Sequence, residues 1–151
     1  AFTKDEAKVT VLNVPDVPGV AAKLFGPLAD AAINVDMIVQ NVSPDGKTTD
    51  MTFTVPVIDL HKTQEVLRAQ DLFKNIEIRT DADVTKVSVV GIGMRSHAGV
   101  AQMMFTALAE KGINIQVIST SEIKISVLIA KEYLELAVRA LHQTYGLEKA
   151  A

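Results

Sequence analysis

The sequence predicts an α+β chain of two βαββαβ units, each an antiparallel sheet with its helices on one face. Three observations carry that prediction. First, "GVAAKLFGPLADAAINVDMIVQN" at 19–41 recurs as "GVAQMMFTALAEKGINIQVISTS" at 99–121. The two blocks agree at 9 of 23 positions without a gap, where average composition would give about 1 or 2, so the chain contains an internal duplication. Second, the apolar spacing within a copy switches between strand and helix periods. Third, proline- and glycine-rich turn chemistry falls where the period changes.

Taken in order, residues 9–14 are short and β-branched, which predicts a strand, and "PDVPG" at 15–19 predicts a turn. Val20, Ala21, Leu24, Phe25, Leu28 and Ala29 recur at helical spacing, which places an amphipathic helix over 19–32. Gly26-Pro27 falls inside that helix, where a proline loses one backbone bond and crowds the preceding turn, so a kink or a local 3₁₀ stretch is expected. "INVDMIVQNV" reads as a strand and "SPDGK" at 43–47 as a turn. "TTDMTFTVP" alternates with Met51, Phe53 and Val55 on one face. A second helix is expected over 60–70 and a short last strand over 76–78. The second copy gives strands at 86–92, 114–120 and 123–129 and helices at 99–111 and 131–144. Its tail, "GLEKAA", is too polar for a closing strand. The domains are therefore placed at 9–80 and 84–147, the second completed by an N-terminal strand around 1–5. That arrangement makes the first copy an insertion within the second.

Of the 151 residues, 48% are hydrophobic and the mean hydropathy is +0.24, rich enough to expect part of the surface to be covered by another chain. No apolar run approaches the roughly 18 residues that span a bilayer, and no basic stretch precedes an apolar one at the start, so a cytoplasmic protein is expected. Cysteine is absent, which removes disulfides and thiolate chemistry. A net charge of −3 argues against nucleic-acid or anionic-membrane partners. The three histidines, His61, His97 and His142, have no neighbour at metal-ligand spacing, and His61 and His142 fall on helices among charges. "GIGMRS" at 91–96 lacks the third glycine and the parallel crossover of a dinucleotide site.

What remains is a pair of strand-to-helix loops, "PDVPGVA" at 15–21 and "GMRSHAGVA" at 93–101. A helix N-terminus offers unpaired N–H groups and the positive end of a dipole, which suit a carboxylate. Asp16 could then hold an ammonium, and Ser96 and His97 are polar groups in a comparable place. A small zwitterion fits this chemistry. The alternative is that Asp16 and Ser96 only cap helices or shape turns.

Four segments, "NVDMIVQNVS", "TTDMTFTVP", "VGIGMRSHAGVA" and "INIQVISTSEIKISVLI", resemble the tandem ACT domains in the regulatory half of aspartate kinase. The resemblance covers nearly the whole chain. It implies two ferredoxin-like ACT domains, forming a free regulatory (beta) subunit or the C-terminal half of a longer kinase. The implied role is allosteric feedback inhibition of an ATP:L-aspartate phosphotransferase in lysine, threonine and methionine biosynthesis. No phosphate-cradling glycine loop or ATP-binding lysine motif occurs in the chain. ATP would therefore bind the kinase domain, and no cofactor, metal or catalytic residue is expected here.

The implied effectors are L-threonine and/or L-lysine. By resemblance, one effector site takes Asp16, Pro18, Gly19, Val20, Ala21 and Gln40, with Asn114 and Ile115 from an adjacent ACT unit. The second takes Met94, Arg95, Ser96, His97, Ala98, Gly99, Thr120 and Ser121, with Asn34, Val35 and Asp36 across from it. The short hydroxyl side chain of threonine would suit Gln40. Arg95, with no acidic neighbour, gives no reason to hold a lysine side chain. The implied partners are the aspartate kinase catalytic domain or alpha subunit and, in a homodimer, a second copy. Two alternatives stay open: an ACT pair regulating another enzyme, and a dimerisation module without amino-acid binding.

Overall fold

A computed structural model of the chain describes residues 2–90 and 97–145. The chain divides into two compact units, Asp5–Ala82 and Asp83–Ala151 with Ala1–Lys4. The N-terminal unit contains β1 (Phe2–Pro15) from Asp5 onward, α1 (Val20–Asp30), β2 (Asp36–Val42), β3 (Thr48–Pro56), α2 (Leu60–Arg68) and the start of β4 (Ile78–Val90). Its strands run in the order β2-β3-β1, antiparallel throughout. Just ahead of β4, the Glu77 carbonyl accepts the Leu12 N–H at 3.0 Å.

Alternation on β3 fixes which face is covered. Met51, Phe53 and Val55 are buried with Val9 and Val11 of β1, Leu24 and Leu28 of α1, Leu67 of α2 and Phe73. Each such side chain contributes about 1.5–3 kcal/mol on burial. The "SPDGK" turn closes around Asp45, whose carboxylate accepts the Ser43 hydroxyl at 2.6 Å and the Lys47 N–H at 2.9 Å. The Ser43 bond, then the Lys47 bond, hold that carboxyl below its ordinary range.

The C-terminal unit carries the rest of β4, α3 (His97–Glu110), β5 (Val117–Thr120), β6 (Lys124–Ala130) and α4 (Leu134–Tyr145). Its strand order is β4-β6-β5, again antiparallel. β6 is central, and residues 125–129 are all buried. Val87, Met104, Leu108, Ile125, Val127, Ile129, Ala137 and Leu141 form its core. Each unit thus has its own antiparallel strands, helix pair and apolar core, the ferredoxin-like arrangement.

The structure departs from the sequence expectations in five places. β1 is longer than 9–14, beginning at Phe2, and a bulge between Val11 and Val14 interrupts its alternation. Asn13 takes a φ of +56° there, and its N–H is held by the Asp50 carboxylate at 2.8 Å. The strands expected separately at 76–78 and 86–92 are one strand, β4, running through the polar "RTDAD". Ladder bonds need no buried side chain, so a hydrophilic stretch hides a strand from a periodicity argument. Residues 91–92 and the tail 146–151 lie outside the described residues.

The third departure is Pro27: α1 continues through it as α-helix, with no 3₁₀ stretch. Gly26 and Lys23 are exposed and Pro27 is half-buried, so the Lys23 carbonyl that lacks a Pro27 N–H partner belongs to a residue open to solvent. Fourth, the helix expected over 131–144 opens with a 3₁₀ turn, Lys131–Tyr133, before α4 begins.

The strands expected from 33 and 114 begin late, at Asp36 and Val117. In both copies the preceding residues finish the helix. After α1, the Ile33 N–H bonds the Leu28 carbonyl at 3.0 Å and the Ala32 N–H bonds the Ala29 carbonyl at 2.9 Å. After α3, Ile113 bonds Leu108 at 3.0 Å and Gly112 bonds Ala109 at 2.9 Å. These are paired Schellman caps, with isoleucine folded back on leucine. The left-handed residue is Gly112 in one copy, at φ +71°, and Ala32 in the other, at φ +59°. A Cβ at Gly112 would meet nothing within 4 Å, so only the backbone opposes one. Ala32→Gly is expected to stabilise the chain by about 1 kcal/mol and Gly112→Ala to destabilise it by a similar amount. Urea denaturation of the two variants checks both signs.

Candidate binding site

The first loop is built by backbone bonds. The Asp16 N–H donates to the Lys47 carbonyl at 3.0 Å, the Val17 N–H to Pro15 at 3.1 Å and the Val20 N–H to Val17 at 3.2 Å. The chain then turns into α1 at Gly19, whose φ of +88° is a left-handed conformation that favours glycine. No side chain caps this helix, and its first turn contains no acidic residue. Apart from the Val20 N–H, its first N–H groups therefore lack a side-chain acceptor and lie at the positive dipole end.

Val20 is buried and anchors the turn, whereas Pro18, Gly19 and Ala21 are exposed. Asp16 is half-buried at the loop's start, and its carboxylate bonds none of the described residues. Gln40 lies on β2 opposite Met51. Cross-strand partners share a face, so Gln40 projects on the helix-bearing side, and it is exposed. One unit thus presents a carboxylate, an uncapped helix start and a carboxamide.

Asn34 and Asp36 are exposed in the same unit, with Val35 half-buried. The Asp36 carboxylate accepts the Met37 N–H at 2.8 Å. Met37 itself is buried at φ +51°, next to a register shift in the β2–β3 pairing.

Of the second loop, Met94, Arg95 and Ser96 lie outside the described residues, as does the side chain of His97. Ala98 and Gly99 are exposed in the first turn of α3. Thr120 ends β5 and is exposed. Ser121 follows, with its N–H bonded to the Lys124 carbonyl at 2.8 Å. Asn114 is exposed and Ile115 half-buried in this unit.

Sequence reasoning missed Tyr145. It ends α4, and its hydroxyl donates to the Val100 carbonyl at 2.6 Å, in the first turn of α3. Burial of the phenol raises its pKa, an effect opposed by a hydrogen bond from the Met104 N–H. A lone tyrosine near the end of an amphipathic helix gives no signal of that bond. The edge strand β2 was also missed as a surface: Ile38, Val39 and Val42 are 53%, 38% and 47% exposed on a strand paired only with β3.

His61 forms an exposed i,i+4 pair with Glu65 at 2.8 Å, a solvated surface contact. Among the described residues, no three His, Cys, Asp or Glu side chains gather as a metal site, and no helix is long and apolar enough to cross a membrane.

Comparison with known proteins agrees with this architecture. Family models described as ACT domain match residues 8–71 and 87–145. An aspartate kinase of Pseudomonas fluorescens (strain SBW25) is 56% identical over 154 residues, covering 100% of this chain and 37% of that protein. The chain therefore spans little more than a third of the curated relatives it matches. A crystal structure of aspartokinase alpha and beta subunits superposes with a TM-score of 0.87 at 54% identity, covering 97% of this chain and 96% of that one. The ligand-free regulatory subunit of aspartate kinase from Thermus thermophilus gives 0.87 at 41% identity, covering 96% and 95%. More distantly, E. coli aspartokinase III in complex with lysine and aspartate (T-state) gives 0.72 at 25% identity, covering 95% and 32%. The two duplicated units are thus ACT domains, and the chain belongs to the aspartate kinase family as its regulatory region.

Proposed function

We propose that this chain senses L-threonine and/or L-lysine and passes their binding on as feedback inhibition of an aspartate kinase. The observation that carries the reading is the first loop, where an uncapped helix start lies beside a carboxylate that bonds none of the described residues. The α-carboxylate of an amino acid would take the N–H groups of Gly19 and Ala21, beside Val20. Its ammonium would take Asp16 and its side-chain hydroxyl Gln40. Asn114 and Ile115 of a facing ACT unit would close the pocket. The second pocket would use Met94 to Gly99, Thr120 and Ser121, closed by Asn34, Val35 and Asp36 of a facing unit. The lysine complex of the E. coli enzyme supports an amino acid as the ligand class.

In this reading, phosphoryl transfer from ATP to L-aspartate belongs to a catalytic domain or alpha subunit, in the cytoplasm. Inhibition requires the effector to favour the low-activity arrangement differentially. The exposed apolar residues of β2 support a homodimer, because an open apolar strand edge invites pairing. Residues 1–4, grouped with Asp83–Ala151, would supply the last strand of the second ACT domain.

Calorimetric titration with L-threonine, then with L-lysine in its presence, tests the reading. Saturable threonine binding is expected, weakened about fivefold to tenfold by Gln40→Ala through loss of one hydrogen bond. A melting temperature that no amino acid moves, in a tight dimer, would support the dimerisation module instead.

A further inference from the structure

The strand that leads into the first loop breaks its own alternation just before it gets there. β1 pairs Val11 with Met51 and then Val14 with Thr49, so Leu12 and Asn13 together stand against Asp50. Two residues against one make a β-bulge. Val9 and Val11 are buried in the core, and strict alternation would send Asn13 there next. The bulge instead puts Val14 into the core and leaves Asn13 exposed. Pairing then resumes with Pro15 opposite Thr48 and ends where the Asp16 N–H meets the Lys47 carbonyl at 3.0 Å. The bulge thus sets the register in which Asp16 and Gly19 follow.

Two bonds hold it. The Leu12 N–H goes to the Glu77 carbonyl at 3.0 Å, on the β4 side. Asn13 takes a left-handed φ of +56°, and its N–H goes to the Asp50 carboxylate at 2.8 Å. An L residue reaches that conformation at a cost, asparagine more readily than most. In the second copy "KVSVVG" aligns with "KVTVLN", and the residue matching Asn13 is Gly91, a residue type that needs no such help. Asp50 also stands opposite Asn41 on β2, one place from the pairing of Gln40 with Met51. It therefore lies between the strand that delivers Asp16 and the strand that carries Gln40.

We infer that Asp50 is a positioning residue for the first effector loop: by holding Asn13 left-handed its carboxylate fixes the bulge, and the bulge fixes where Asp16 and the Gly19 turn are presented. The inference rests on the effector reading above, in which Asp50 is not one of the ligand's contacts. Losing its carboxylate removes no group from the pocket. It lowers the share of chains whose loop follows the competent register, and apparent affinity falls by that share.

Three variants of the full chain test this: Asp50→Ala, Asn13→Gly and the two together. Neither residue belongs to the apolar core, so each variant is expected to fold. Asp50→Ala should weaken L-threonine binding, or L-lysine binding if lysine alone is taken up, about fivefold by calorimetry, the worth of one hydrogen bond. It should also raise hydrogen exchange at the Asp16 amide of the ligand-free protein. Adding Asn13→Gly to Asp50→Ala should return the affinity to the wild-type value, because glycine holds a positive φ without a partner. A merely structural bond would lower the urea midpoint and leave affinity unchanged, and that result overturns the inference. Unchanged exchange at Asp16 overturns it as well, since the register would then hold without the carboxylate. So does weakened binding that Asn13→Gly fails to restore, because Asp50 would then act by another route. Should Asp50→Ala alone not fold, the double variant decides: wild-type affinity supports the bulge and weak binding refutes it. A wild-type chain that takes up neither amino acid sinks the effector reading and the inference with it. Normal wild-type binding that Asp50→Ala leaves unmoved sinks only the role of Asp50.

Discussion

Phe53→Ala is expected to destabilise the chain by about 3–5 kcal/mol, the largest single effect predicted here. Phe53 is fully buried on β3, opposite Val9 of β1. It meets Phe25 of α1 edge-on, with ring centroids 5.3 Å apart and planes at 76°. That geometry adds about 0.5–1.5 kcal/mol beyond burial, and it joins a strand to a helix. Alanine removes the whole ring, and the surrounding strand and helix can close only part of the space. The loss is comparable with the net stability of many domains, so the N-terminal unit is expected to be largely unfolded at 37 °C. Urea denaturation with amide exchange checks both statements. The comparison is Thr52→Ala, on the other face of the same strand, where one hydroxyl contact to Thr10 at 3.3 Å is lost. It should cost about 1 kcal/mol. If both variants lose the same amount, the apolar face of β3 is not what holds this unit together.

The second large effect has the opposite sign. Pro27→Ala is expected to stabilise the chain by about 2 kcal/mol. A helix-interior proline costs about 3 kcal/mol relative to alanine, and about 1 kcal/mol of that is offset because proline stiffens the unfolded chain. The duplicate supplies the precedent, because the residue aligned with Pro27 is Ala107, in the middle of α3. Alanine would restore the N–H that the Lys23 carbonyl lacks. Gly26→Ala should add about 1 kcal/mol more, since a Cβ there meets nothing within 4 Å. A shift in the thermal midpoint gives the answer for both. A melting temperature that falls on Pro27→Ala would mean that the half-buried ring packs better than an extra backbone bond compensates.

Much of the fold was legible because the chain states it twice. The spacing of Val20, Leu24 and Leu28 and the alternation of Met51, Phe53 and Val55 place α1 and β3 within a residue or two. The polar part of β4 was not legible, because its order comes from backbone pairing and its side chains carry no apolar period. Neither was the bulge at Asn13, which the distant Asp50 carboxylate stabilises. Of the site, Asp16 and Gly19 could be picked from turn chemistry and helix-dipole reasoning. Gln40, Asn114 and Asp36 came only through resemblance, since a polar residue on or just before an edge strand looks the same whether or not it meets a ligand. Tyr145 could not be found at all, because nothing in the sequence says that a helix end reaches back to a carbonyl 45 residues earlier.

The two helix caps bear on how such a chain diverges after duplication. Ala32 and Gly112 occupy equivalent places with nearly the same φ, yet only glycine adopts that angle without strain. The alanine copy therefore carries a standing deficit of about 1 kcal/mol that its core absorbs. What the copies share at this point is a pattern of carbonyl and amide partners, not a residue. Selection removes only variants that fall below the stability needed to work. A unit whose core leaves a margin can then drift at its turns while its backbone stays fixed. Residue identity between the copies accordingly understates how closely their main chains agree.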